Sequence, residues 1–207
     1  MATPGTFSSD LAFVRDLAEA GQNAPLLGGR FLAWWGGLMT LAYSGHFLIA
    51  TQAIGVGPES LWVWWLSISA LGLAGQFVLQ HFNRAKPGVS STGNRVQAVV
   101  WMSAGFVLFA LFAGVIVRTI FFGGGYEGFY WSVPMVIGLY GLGQFVTGLM
   151  ANNGALKFAG LAAFAGTTVA AILSGTDYVW LAGAAVVFLA VFVPGLMLMR
   201  REPATTV

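Results

Sequence analysis

No cysteine occurs anywhere in the 207-residue chain. Disulfides, thiolate metal centres and cysteine nucleophiles are therefore excluded. Charge is almost as scarce. Nine basic and seven acidic residues make up 8% of the sequence, against roughly a quarter in an ordinary soluble domain. A water-facing surface cannot be built from so few charges, so most of the surface is expected to face lipid. Histidine occurs twice, too few for a histidine-rich metal site. No lysine lies inside an apolar run, which removes the attachment point of a retinal protein, and no carboxylate does, which disfavours proton transport by an acid relay. No His-Glu metal motif, phosphate-gripping glycine loop or nucleophile elbow is present. The basic residues sit singly between apolar runs, so nothing points to nucleic acid.

What the chain does have is length without charge. Arg30 is followed by 24 residues, ending at Ile54, that include no Asp, Glu, Lys or Arg. Such a run is long enough to cross a hydrocarbon core of about 30 Å as a helix. Five more runs follow, over about residues 60–80, 96–120, 129–151, 158–176 and 178–199. The fifth is bracketed by Lys157 and Asp177, whose 19 intervening residues suffice for one crossing and not two. The expected fold is an all-α integral membrane protein of six transmembrane helices arranged as three hairpins. Residues 30–201 form the membrane domain, 1–29 an N-terminal segment and 202–207 a short polar tail.

Orientation follows from the basic residues. With both termini in the cytoplasm, that side holds Arg15, Arg30, Arg84, Lys86, Arg95, Lys157, Arg200 and Arg201, and the far side only Arg118; this is a strong positive-inside bias. Trp62, Trp64, Trp65, Trp131 and Trp180 then fall on the outer side, as expected of an interfacial belt. The first 30 residues lack the apolar core of a cleavable signal, so the first crossing is expected to serve as its own insertion signal in a plasma membrane, the inner membrane of a bacterium.

Before that crossing, residues 8–21 are predicted as a short amphipathic helix. Leu11, Val14, Leu17 and Ala18 share one side, with Asp10, Asp16 and Glu19 mostly elsewhere. Membrane-surface helices are usually basic on the polar face. This one is acidic, which favours packing on the protein's own loops or docking onto a protein partner over docking onto anionic lipid. The Asn23–Pro25 and Gly28–Gly29 stretches read as a linker.

Small residues recur four apart at Gly36, Thr40 and Ser44, at Ala110 and Gly114, at Ala155, Ala159 and Ala163, and at Ala162, Gly166 and Ala170. Such stripes let helices approach closely in lipid. A three-hairpin repeat is suggested by Trp65, Trp131 and Trp180 at the starts of the returning helices and by Gly-Gln-Phe-Val at 75–78 and 143–146.

Few polar residues lie within the runs. His46 is the one ionisable side chain well inside a run, with Tyr43 three residues earlier on nearly the same face. Its candidate roles are an interhelical hydrogen bond, a proton relay or haem ligation. His81 is expected roughly 20 Å away in depth by the helical rise, which excludes a shared haem iron. Gln76 and Gln144 share a depth, and each could satisfy the other or line a polar pocket with Tyr140. No cofactor or metal is assigned. The leading functional expectation is a non-enzymatic accessory or regulatory membrane protein, self-associating or partnered through its N-terminal helix. The second is a small transporter or substrate-binding component using the Gln76, Gln144 and Tyr140 pocket. The third is a haem or redox protein using His46.

Overall fold

The computed structural model of the chain describes residues 10–16, 25–83 and 88–202, and among these the backbone forms helices and turns with no strand. The long helices are α1 (Gly29–Ala50), α2 (Leu61–Asn83), α3 (Thr92–Phe121), α4 (Glu127–Met150), α5 (Gly154–Ile172) and α6 (Tyr178–Met199). They alternate in direction. One end of the molecule therefore gathers the starts of α1, α3 and α5 and the other the starts of α2, α4 and α6. Local chemistry sets several boundaries. Ser91 accepts a hydrogen bond from Asn94 N at 3.4 Å to open α3, and the Asn153 side chain accepts from Leu156 N at 3.1 Å to open α5. α1 ends at Ala50, four residues before the apolar run does, and the chain then turns through Gln52 and Gly55 at φ 56° and 69°.

Five helices, α2 to α6, are long and apolar enough to cross a membrane. The exception is α1, which carries the first of the six uncharged runs. Its hydropathy is lowered by Trp34, Trp35, Tyr43 and His46, and these side chains turn toward neighbouring helices. α1 lies between α2 on one side and the whole length of α6 on the other. α6 in turn packs on α4 and α5, and α3 packs on α4. The most extensive pairings are α1 with α6 and α4 with α5, each between helices of different hairpins. The main core collects Tyr43, Val133, Ile137, Tyr140, Val179, Trp180, Val187 and Val191.

The α1–α6 contact is limited by backbone. A Cβ at Gly36 would lie 2.6 Å from Phe192 N, one at Gly195 would meet Ala33 N, and one at Gly29 would meet Met199 N. On α5, Ala159, Ala163, Gly166 and Ala170 are buried, whereas Ala155 and Ala162, the first members of the two stripes, are exposed. The stripe on α3 is different: Ala110 is exposed and Gly114 has no neighbour within 4 Å. Small residues permit close approach but do not enforce it.

The segments that flank the bundle, read as a linker and a polar tail, are tied to it where they are described. Leu26 and Leu27 are buried. Asn94 on α3 accepts from Leu27 N at 2.8 Å and donates to the carbonyls of Pro25 at 3.0 Å and Gly88 at 2.9 Å. Glu202, assigned to a polar tail, is 1% exposed in its side chain; one carboxylate oxygen lies 3.2 Å from Arg30 Nε and the other accepts from Arg30 N at 3.3 Å. A carboxylate is favourable at the start of a helix, where backbone N–H groups lack partners. Replacing Glu202 by alanine should lower stability by about 1.5 kcal/mol, the lower end for hydrogen bonds to charged groups, because Arg30 remains 39% exposed in its side chain. Glu202→Gln, which keeps an acceptor, should lose less; thermal unfolding in detergent measures both.

Candidate functional site

The polar side chains inside the helices fall into two groups. The first begins with the packing of α1 on α2. Antiparallel helices bring tryptophans from each onto the other. Trp34 Nε1 donates to the Gly72 carbonyl at 3.3 Å and Trp35 Nε1 to Gln76 Oε1 at 2.8 Å. From the other side, Trp64 Nε1 donates to the Ala42 carbonyl at 3.0 Å and Trp65 Nε1 to His46 Nδ1 at 2.9 Å. An indole N–H has nothing but a proton to offer, so His46 Nδ1 accepts and the neutral ring carries its proton on Nε2.

His46 also belongs to an aromatic cluster, centred on Trp180, near the starts of α2, α4 and α6. Its ring stacks on Trp180 with centroids 3.6 Å apart and planes 16° from parallel. Tyr43 and Trp65 meet Trp180 at 5.8 and 6.1 Å, and Tyr130 meets it at 5.9 Å. Tyr130 donates its hydroxyl proton to Asp177 at 3.1 Å. The pair expected from sequence, Tyr43 and His46, is therefore brought to one place. Tyr43 and Trp180 are 1% and 2% exposed. Their Oη and Nε1 atoms are enclosed and have no hydrogen-bond partner. The cluster is filled by its own rings.

This corrects the tryptophan belt. Trp62 and Trp131 are 70% and 61% exposed and fit it. Trp64 and Trp65 are half-buried and Trp180 is buried; their faces and N–H groups are used between helices. The same environments separate the three tryptophans of the suggested hairpin repeat: Trp65 bonds His46, Trp131 is exposed and Trp180 is in the core.

The second group surrounds Gln144. It is 1% exposed on α4, and its Nε2 donates to the Ala190 carbonyl at 2.6 Å. Sequence explains why that carbonyl accepts. In a regular α-helix it would receive the N–H of residue 194, but Pro194 has none. Here α6 also opens into a π turn over Phe188–Phe192, and Val193 N donates five residues back to Phe188 O. The side chain of Gln144 supplies the donor that the proline withholds. Its own Oε1 is buried without a partner.

The two glutamines are thus not paired with each other. Gln76 is held by Trp35 across the α1–α2 contact, Gln144 by α6, and Tyr140 lies against Trp101 at 5.5 Å. The expected grouping of Gln76, Gln144 and Tyr140 is replaced by three separate interhelical contacts, because equal depth does not fix which helices are neighbours. His81 is exposed near the end of α2 and packs on Phe82, apart from the His46 cluster. No group of three or more His, Cys, Asp or Glu side chains gathers among the described residues. The sequence pattern placed Trp180 in the outer belt, Asp177 at a turn and Glu202 in the tail, and gave Asn94 no role; none of these foretold the interhelical contacts that they make. The available signal for the Gln144 contact is Pro194, whose missing N–H frees a carbonyl one turn earlier.

Of predicted helix 8–21, residues 10–16 are described; they are helical and exposed, with Leu11, Phe13 and Val14 exposed by 61–63%. Comparison of the chain with family models, curated proteins and solved structures finds no match.

Proposed function

We propose that this is a non-enzymatic accessory protein of a plasma membrane, that of a bacterial cell, which acts by lateral helix packing. In this reading α1 is the sixth crossing, and both termini lie in the cytoplasm in accord with the basic residues. The observation that carries the proposal is the unequal use of the helices. In its most apolar window α4 buries 56% within the fold, whereas α2 buries 11% and α3 only 6%. α3 holds on to the bundle through α4 and leaves Met102, Phe106, Phe109 and Ile120 outside. Meanwhile the interior polar groups serve to join helices. Such a distribution suits a protein whose product is a surface within the bilayer, with the exposed helix at 10–16 as a second contact.

Photo-crosslinking in native membranes tests it. A benzophenone side chain at Phe106 or Phe109 of α3, or at Phe77 of α2, should give a discrete protein adduct from at least one face, while the same group at buried Val133 should give none. Lipid adducts alone from every exposed position would overturn the accessory role. A transport reading draws on one feature, the π turn and Pro194 in α6, since interrupted helices line transporter sites. It would be favoured if lipid adducts alone were found and native mass spectrometry returned a bound small molecule.

A further inference from the structure

The α1–α2 contact has an internal order that the single bonds do not reveal. The chain contains two adjacent tryptophan pairs, Trp34–Trp35 and Trp64–Trp65, thirty residues apart. At the same offset Leu41 matches Leu71, Ala42 matches Gly72, Gly45 matches Gly75, and His46 matches Gln76. Five matches among tryptophan, leucine and small residues and one between His and Gln are a weak signal in so apolar a chain. The contacts strengthen it because they are reciprocal. Trp34 donates to the carbonyl of residue 72, and Trp64 to that of residue 42. Trp35 donates to the side chain of Gln76, and Trp65 to that of His46. The Trp34 ring lies over Gly75 and the Trp64 ring over Gly45, each so close that a Cβ would collide. Between them Leu38 and Ile68, again thirty apart, are 6% and 5% exposed in one small core.

We infer that α1 and α2 are two copies of one helical unit, Trp-Trp-x5-Leu-small-x2-Gly-acceptor, clasped head to tail about a local two-fold axis. The unit needs a hydrogen-bond acceptor eleven residues after its second tryptophan, and His46 and Gln76 are its two occupants. The clasp assigns His46 a positioning role: it receives the Trp65 indole proton as Gln76 receives that of Trp35. Histidine and glutamine are interchangeable there because each presents a neutral acceptor at similar reach. Leucine is not, since the half-buried indole N–H would lose its partner. His46 differs from its counterpart in one respect, its stack on Trp180.

The full chain in detergent decides this. Gln76→His should melt within about 2 °C of the parent, and His46→Gln should fall by less than His46→Leu, which should lose about 4 °C or more, the shift typical of a one- to two-kcal/mol change in a chain of this size. Nitrogen-15 spectra of the indole groups give a readout independent of stability. The Trp65 N–H should stay hydrogen-bonded in His46→Gln and shift in His46→Leu, with Trp35 responding only to position 76. If Gln76→His is as damaging as Gln76→Leu, or if the Trp65 resonance moves equally in His46→Gln and His46→Leu, the two positions are not equivalent and the inference fails.

Discussion

Gly195→Ala should strongly destabilise the protein, by about 3 kcal/mol. A Cβ there would land on Ala33 N, with the Leu32 carbonyl carbon at 2.7 Å. Neither is the end of a side chain that can swing away. The only relief is to move α6 off α1, and that contact continues through Gly36 against the Phe192 backbone and Gly29 against Met199. Overpacking ordinarily costs about 1–3 kcal/mol, and a backbone-limited site belongs at the upper end. At roughly 2–4 °C per kcal/mol for a chain of this size, the unfolding midpoint should drop by about 6–12 °C. Gly105→Ala and Gly114→Ala provide the contrast. Both glycines lie in α3 with nothing within 4 Å, and alanine is the better helix former by about 1 kcal/mol. They should be neutral or stabilising. Equal behaviour of Gly195→Ala and Gly114→Ala would disprove the α1–α6 packing.

Gln144→Leu should cost about 1–3 kcal/mol, and the loss should largely disappear when Pro194 is also replaced by alanine. The reasoning is local. Gln144 Nε2 bonds the Ala190 carbonyl at 2.6 Å, and without it that carbonyl is buried with the N–H of residue 194 absent. Leaving a buried acceptor unmet costs about this much. Pro194→Ala returns a backbone N–H and lets the π turn close into a regular α-helix, in which that N–H donates to Ala190. The proline's own packing contributes equally in both backgrounds and cancels in a double-mutant cycle. Unfolding midpoints of the four proteins supply the coupling. Additive losses would mean that Gln144 acts through packing and not through the carbonyl that the proline frees.

These experiments bear on how a bundle poor in charge achieves a unique arrangement. Lipid does not drive helices together, so close backbone contact and interhelical hydrogen bonds must. In this chain glycines set the α1–α6 distance, tryptophan N–H groups fix the α1–α2 register, and one amide joins α4 to the break in α6. The two lateral helices α2 and α3 are held from one side and present the other outward.

Composition and run length by themselves determined the helical class and placed all six long helices to within a few residues, because backbone groups in an apolar setting must be satisfied within each segment. They also marked His46, Gln76 and Gln144 as side chains needing partners. Those partners were decided only in three dimensions. Depth can be counted along a helix at a fixed rise, but rotation and neighbour choice depend on packing across the whole bundle. Hence Gln76 met Trp35 and not Gln144, Trp180 left the expected belt for the core, and Glu202 returned from the tail to the start of α1. α1 shows the reason most plainly: the residues that weaken its hydropathy are the ones its neighbours enclose.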